Sequence, residues 1–484
     1  MTQEELKGTI LRNKTIHTKI QILNLNMDIL DEISSVVIGQ PSFSINANSD
    51  IRRTCNIAFI SNNKALDVGF DKQIWLDKYV KIFVGIEDVF EEIAWTNLGV
   101  YIINNPSKMF DATNNTITIQ GIDLMAKFTG LRDGVLEPIE YVVPENSNVR
   151  KAIIAVMKEF NFNKYVVSEC YNRDGSILST PYEIRVKVGG TAYDILKQLK
   201  LLLPQYQMYF DIDGIFHYDL IPSGDNEQIR VNNTIWDRVL INYSKNYNFE
   251  DVKNSITVIG KTHKISNFGV DTTLANNTYT IKLEKLTSLR NNLKVGFVAP
   301  TKAINPRLNI LGKDDEDLGT YDITFENREF PILSDFEDVY YVVKFRNEDE
   351  DDNPITPYFE YYGEVTPIAT VEETNPSSPF NINSDMGRIR KILQGGEYDN
   401  IYTSDLAEQR AEWELYNFCR LQDSITINCV PIYWLDVNWL VEIELPNEPK
   451  NDGLYITKSI SMNTSVNGTQ TIQLMKYYPF YIEE

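Results

Sequence analysis

From residue 20 to residue 128 apolar and polar side chains alternate in short runs, the period of half-buried strands rather than of helices. Runs rich in β-branched and aromatic residues cover 20–25, 36–45, 55–60, 79–86, 99–103 and 116–120. Turn-forming clusters such as 61–64 and 104–107 separate them. Many short strands at this spacing predict a sandwich or barrel. The period then changes. Val149, Ile153, Val156, Met157 and Phe160 recur at helical spacing behind Ser147 and Asn148 as caps. A second helix is expected to open at Thr191, where Asp194 three residues on completes a capping box, and to stop before Pro204. A hairpin over 208–211 and 215–218 turns at Asp213-Gly214. Strands are expected again from Trp236, over 239–243 and 255–259. A helix follows from about 405 to 421, and strands fill 425–482.

Boundaries follow from these shifts. Residues 1–135 form a first β-barrel, 136–228 a small α/β domain, and 229–262 with 376–484 a second, discontinuous barrel. Residues 263–375 form an inserted β-rich domain, and the Pro-, Ser- and Asn-rich stretch 366–386 is a linker. The expected fold class is mainly β with a small α/β part: two related barrel modules bracketing the α/β domain and the insertion.

An internal repeat supports the pairing of the barrels. Trp-Leu-Asp begins at Trp75 and at Trp434, Gly-x-Tyr-Ile at Gly99 and at Gly453, and a Thr- and Ile-rich hairpin strand near Asn114 and near Asn467. The three pairs keep their order and lie 359, 354 and 353 residues apart, a drift that loop-length changes account for. Two like modules on one chain allow a trimer to present six like modules in a closed ring.

Composition adds little chemistry. The formal charge is −22, against tight binding of nucleic acid, which needs clustered Lys and Arg. Cys55, Cys170, Cys419 and Cys429 form no CxxC pair and read as free thiols made in a reducing cytoplasm. No secretory leader and no membrane-spanning segment is expected. His17, His217 and His263 are scattered and form no zinc motif. Gly189-Gly190-Thr191 reads as a helix cap rather than a phosphate loop, and residues 211–214 as a turn rather than a calcium loop. The acidic runs 314–317 and 348–352 read as solvated loops. No catalytic, cofactor-binding or metal-ligating residue is expected, and no enzymatic activity.

Several segments resemble the baseplate or tail-tip hub proteins of bacteriophages and related contractile injection machines. They are VVIGQPSFSINANSDIRRTCNIAFI (36–60), IWLDKYVKIFVGIED (74–88), LGVYIINNPSKMFDATNNTITIQGIDLMAKFTG (98–130), GGTAYDILKQL (189–199), YFDIDGIFHYD (209–219), VKNSITVIG (252–260), PIYWLDVNWLVEIELP (431–446) and DGLYITKSISMNTSVNGTQTIQLMKYYP (452–479). Residues near 263–400 match nothing in that pattern. The resemblance implies a homotrimeric, pseudo-hexameric hub in the virion. Such a hub joins a sixfold tail tube or distal tail ring to a threefold needle, spike or tape-measure protein, among other baseplate proteins. It lines a channel through which DNA passes without specific binding. The channel wall is expected to be acidic, so that DNA is repelled. Two other readings place a cell-wall-degrading activity, or a glycan-binding surface of Tyr and Phe, in 263–375.

Overall fold

The structure is a computed structural model. It describes residues 15–34, 37–60, 67–87, 92–110, 115–137, 140–171, 175–224, 227–261, 267, 269–299, 305–324, 339–349, 353–364, 366–401, 404–446 and 453–478. The chain forms two compact units: Met1–Val252 with Leu421–Glu484, and Lys253–Arg420. The insertion is wider than the 263–375 expected from the sequence, because residues 255–259, 390–394 and 404–418, expected in the second barrel, pair and pack with one another inside the second unit.

The first unit opens with strands β1 (Thr15–Leu23), β2 (Ile29–Ser34), β3 (Val37–Asn46), β4 (Arg53–Ile60), β5 (Tyr79–Glu87), β6 (Ile93–Phe110) and β7 (Asn115–Ile122). The α/β domain follows, with β8 (Tyr141–Val143), α1 (Val149–Glu159), β9 (Tyr165–Val167), β10 (Ile184–Val186), α2 (Ala192–Leu201), β11 (Tyr206–Phe210) and β12 (Phe216–Leu220). Both helix starts are set by local chemistry. The Asn148 side chain accepts the Lys151 N–H, and Thr191 and Asp194 close the expected capping box. Next come β13 (Ile229–Val231), α3 (Asn233–Val239) and β14 (Leu240–Asn248). The sequence reading began a strand at Trp236, but that residue lies in α3, which buries Ile235, Trp236 and Val239. A seven-residue helix rich in β-branched and aromatic residues is too short to show its period.

The second unit holds β15 (Ser255–Ile259), β16 (Val270–Ala275), β17 (Thr278–Lys282), β18 (Lys294–Ala299), β19 (Arg307–Leu311), β20 (Asp317–Thr324), β21 (Val339–Glu348), β22 (Pro354–Glu364), β23 (Ile368–Glu372), β24 (Arg390–Gln394) and α4 (Ser404–Phe418). β15 lies between β23 and β24, and its Ile256 and Val258 pack against Ala407 and Ala411 of α4. The other seven strands run in the order β16-β17-β19-β20-β22-β21-β18. The two ends of that sheet meet where Gly269 N donates to Gly296 O (2.7 Å) and Gly296 N to Asn267 O (3.0 Å). Its core mixes aliphatic side chains with aromatic rings, of which Tyr279, Phe297, Tyr341 and Phe359 are fully buried. These rings fill the barrel, and none of the four offers a face to a sugar.

The chain returns to the first unit with β25 (Gln422–Cys429), β26 (Leu440–Glu442), β27 (Leu454–Asn463) and β28 (Gln470–Lys476). One sheet then runs β14-β25-β28-β27-β3-β4-β7-β6-β5-β1-β2, with β26 joining β27 and β13 joining β26. The order β3-β4-β7-β6-β5-β1 is repeated by β14-β25-β28-β27-β26-β13. The fold is mainly β and contains two related barrel modules.

Candidate functional site: two matched barrels and the face they share

The match between modules extends to register. Ile102 pairs with Ile122 in the first module, and Ile456 with Met475 at the corresponding place in the second. Both ladders then carry a bulge that adds one residue to the longer strand. Register is recovered at Ser107↔Thr118 and Ser461↔Thr471. The pairs Thr54↔Ile122 and Ile57↔Ile119 correspond to Ser424↔Met475 and Ile427↔Ile472. Val80↔Tyr101 corresponds to Val441↔Tyr455, and both tyrosines are buried. A one-residue slip in any ladder would turn its apolar side chains outward, so the agreement marks one folding pattern used twice.

The modules are joined edge to edge. β27 of the second module pairs antiparallel with β3 of the first, through Ile460↔Ile45 and Met462↔Phe43. These four residues are 1–4% exposed, and the cores exchange members: Ile45 packs in the second core, Met462 and Tyr433 in the first. Above the junction lies a buried polar network. The Arg53 guanidinium donates to Asp436, and the Arg53 and Met125 N–H groups donate to Asp123, each at 2.9 Å. Arg52 donates to Gln207 Oε1 at 2.8 Å, and Asn438 donates to the same oxygen at 2.7 Å. The Arg52 guanidinium also sits 4.1 Å from the Tyr209 ring centroid. The network therefore ties both barrels to the α/β domain. Burial pushes the Arg52 pKa down and the Asp123 pKa up. Burial opposes the Arg53 charge too, but Asp436 beside it outweighs that and holds its pKa up.

The face of the joined sheet opposite the two cores is polar and open. Across it, residues in register form rows. One row runs Asn242, Asn428, Thr471, Ser461, Ser44 and Thr54. A second runs Ser244, Thr426, Gln473, Ser459 and Asn46. A third runs Asn463, Ser42, Asn56, Gln120 and Asn104. Side chains link along the rows. Asn428 Nδ2 donates to Asn242 Oδ1, Thr471 Oγ1 to Asn428 Oδ1, and Ser459 Oγ to Gln473 Oε1, each at 2.8 Å. In a chain with 24% charged residues, these three rows contain none. The rows cross the junction without interruption, so both modules contribute to one uncharged, hydrogen-bonding surface.

The residues singled out in the sequence do not converge on this surface. His17 Nε2 lies 2.6 Å from Glu87 Oε2. His217 Nε2 lies 3.1 Å from Asp211 Oδ2, and its ring stacks on Tyr209. His263 lies outside the described residues. Gly190 precedes the capped start of α2. Asp211 Oδ1 accepts the Asp213 and Ile215 N–H groups, each at 2.9 Å, closing the hairpin turn. Asp315 lies in the turn before β20 and meets Lys282 at 2.6 Å. Of the second acidic run, Glu348 accepts from Asn291 and Asp349 from Asn353, while 350–352 lie outside the described residues. Cys55, Cys170, Cys419 and Cys429 are free thiols, and burial pushes Cys419 and Cys429 up to about 12. Among the described residues no cluster of three or more His, Cys, Asp and Glu could hold a metal ion, and no helix is long and apolar enough to cross a membrane. The uncharged face was missed in the sequence. Its signal was present as the polar half of the strand alternation, in SFSIN, TCNI, SITIN and SISM.

A family model described as a domain of unknown function (DUF5048) matches residues 377–481. No curated protein matches. Among solved structures, the chain is similar to a 43 kDa tail protein of prophage MuSo2 from Shewanella oneidensis. Identity is 9%, coverage is 95% of this chain and 98% of that one, and the TM-score is 0.49. It is also similar to a tail protein from Neisseria meningitidis MC58, at 7% identity, 95% and 96% coverage and TM-score 0.49. A third similar structure is prophage tail protein gp18 from Listeria monocytogenes EGD-e, at 8% identity, 94% coverage of each chain and TM-score 0.44.

Proposed function

We propose that this protein is a non-catalytic structural hub of a phage-type tail. Three copies form a ring of six like barrels, joining a sixfold tail tube or distal ring to a threefold needle, spike or tape-measure protein. The observation that carries the reading is the doubled module with matched register, joined edge to edge within one chain. A protein that must meet six equivalent subunits on one side and three on the other needs two like surfaces per chain. The hub is made in the host cytoplasm and resides at the tail tip of the virion, beside other baseplate proteins.

The shared face lines the DNA channel in this reading. The sequence had led to an acidic wall. The rows instead bear Ser, Thr, Asn and Gln, which hold water by hydrogen bonds and form no ion pair with phosphate. DNA passing these rows therefore meets no side chain that would displace its counterions.

Native mass spectrometry of the full chain tests the reading. The expected mass is three times 55.8 kDa, with six lobes around the hole in averaged electron micrographs. A single-chain mass at every concentration, or a ring of another order, overturns it.

A further inference from the structure

The first unit makes an edge-to-edge junction internally and, among the described residues, leaves both halves of a second such junction unpaired. In the second module, β27 is used on both sides. Its start pairs with β26, and residues 459–463, past the bulge, pair with β3. In the first module the counterpart β6 pairs with β5 only as far as Ile102. Past its bulge β6 pairs with β7, and among the described residues no strand lies against its other edge. The counterpart of β3 is β14. It pairs with β25, and among the described residues with nothing else. Both edges are exposed and apolar in part: Phe110 is 79% exposed, Met109 64%, Ile241 55% and Tyr247 49%. Long open edges with apolar side chains are templates for pairing with another chain.

We infer that β14 of one copy adds antiparallel to the outer part of β6 of a second copy, repeating between chains the β3–β27 junction made within each. Register transfers directly. Ser461 pairs with Ser44 and Asn463 with Ser42. The counterparts of Ser461 and Asn463 are Ser107 and Met109; those of Ser44 and Ser42 are Asn246 and Ser244. The new junction therefore sets Asn246 opposite Ser107 and Ser244 opposite Met109. The faces agree, because Asn246 extends the uncharged rows and Ser107, paired to Thr118, lies on the same side. Lys245 falls opposite Lys108, whose ammonium Asp67 already holds at 2.9 Å. Each copy carries one edge of each kind, so association is head to tail and leaves no edge open once the ring closes. Closure at three copies rests on the hub reading; the strand pairing does not.

The test is a cross-link of defined register. Directly opposed residues on antiparallel strands have Cα atoms roughly 4.5–5.5 Å apart, within disulfide reach. Ser107→Cys and Asn246→Cys are introduced separately and together into the full chain carrying Cys419→Ser, the other three native thiols being buried. After mild oxidation, a mixture of the two single variants is expected to give a covalent dimer and neither single variant alone. The double variant is expected to give covalent trimers. A pair two residues out of register, Asn246→Cys with Met109→Cys, is expected to link at least about ten-fold less. Three-chain particles by light scattering without the 107–246 link overturn the edge pairing and leave the ring standing. Particles of one chain at all concentrations overturn both.

Discussion

The two barrels share a strand order and a register, yet they differ in how each finishes its sheet. The first continues from β6 into the nine-residue β5 and then antiparallel into β1. The second has only the three-residue β26 at that position, followed by a parallel β13, and fills the remaining space with α3 and its buried Trp236. The first pairs its β3 edge with the second module and, among the described residues, has no strand against its outer β6 edge, while the second does the reverse. What is held constant is the pairing that builds the shared face. What varies is how each sheet ends: the length of β5 against β26, the direction of β1 against β13, and which edge strand is paired. A duplicated module under one geometric demand and two packing environments would diverge in this way.

The largest effect is expected where the modules meet through charge. Arg53 of the first module is buried and relies on Asp436 of the second. Asp436→Ala removes the carboxylate that pairs with that guanidinium, at a cost of about 3–5 kcal/mol, read as a lower midpoint in urea unfolding of the full chain. If the pair were only decorative, the midpoint would stay within error.

The next effect separates two equivalent positions. Gly121 in β7 corresponds to Leu474 in β28, which packs in its own core without difficulty. A Cβ on Gly121 would meet Cys55 Sγ at 2.4 Å and the Tyr101 Cβ at 2.9 Å. Gly121→Leu is therefore expected to destabilise by about 1–3 kcal/mol through overpacking, although the second module carries that residue at the same place. An unchanged melting curve would mean that the two cores are interchangeable.

A third contrast is electrostatic. Asp123 follows β7, where the second module has Lys476 after Met475. Burial raises the Asp123 pKa even though it accepts N–H groups from Arg53 and Met125. A raised carboxyl pKa means that the folded state holds the proton more tightly than the unfolded one. Its stabilising contribution is full below the unfolded value of about 4 and fades as pH rises through the folded value. Asp123→Asn is expected to remove that loss, so parent and variant unfolding curves converge in acid and separate as pH rises. Parallel curves from pH 3 to 8 would reject the assignment.

The sequence made the repeated motifs, both capped helices and the 211–215 turn readable, because each depends on a few neighbouring residues. It hid α3, too short for a period, and β2 (Ile29–Ser34), which is largely exposed and has no strong alternation. It also hid the two-residue shift that places the Tyr79 counterpart at Leu440 rather than Asn438, since Trp-Leu-Asp aligns without it. The uncharged face needed three-dimensional register. Each Ser or Asn is ordinary on its own strand and becomes informative only when six strands place such residues in one row.

The smallest effect concerns the glycines of the repeated Gly-x-Tyr-Ile. They coincide in sequence, and Gly99 has φ +129°, a conformation that a side chain strains, with the Tyr101 ring 3.2 Å from any added Cβ. Gly453 has no positive φ, and an added Cβ would meet only Glu442 Cγ at 3.6 Å, an ordinary contact. Gly99→Ala is expected to cost about 1 kcal/mol or more, and Gly453→Ala to gain about 0.4–1 kcal/mol by restricting the unfolded chain. Opposite signs in paired thermal melts would mean that a glycine kept in both motifs is conformationally required in one. That is where β5 and β6 shift register between Ile82 and Phe83, a stretch that the second module's short β26 does not reach. Equal costs at both sites would instead place the same strained backbone in both barrels and remove the distinction.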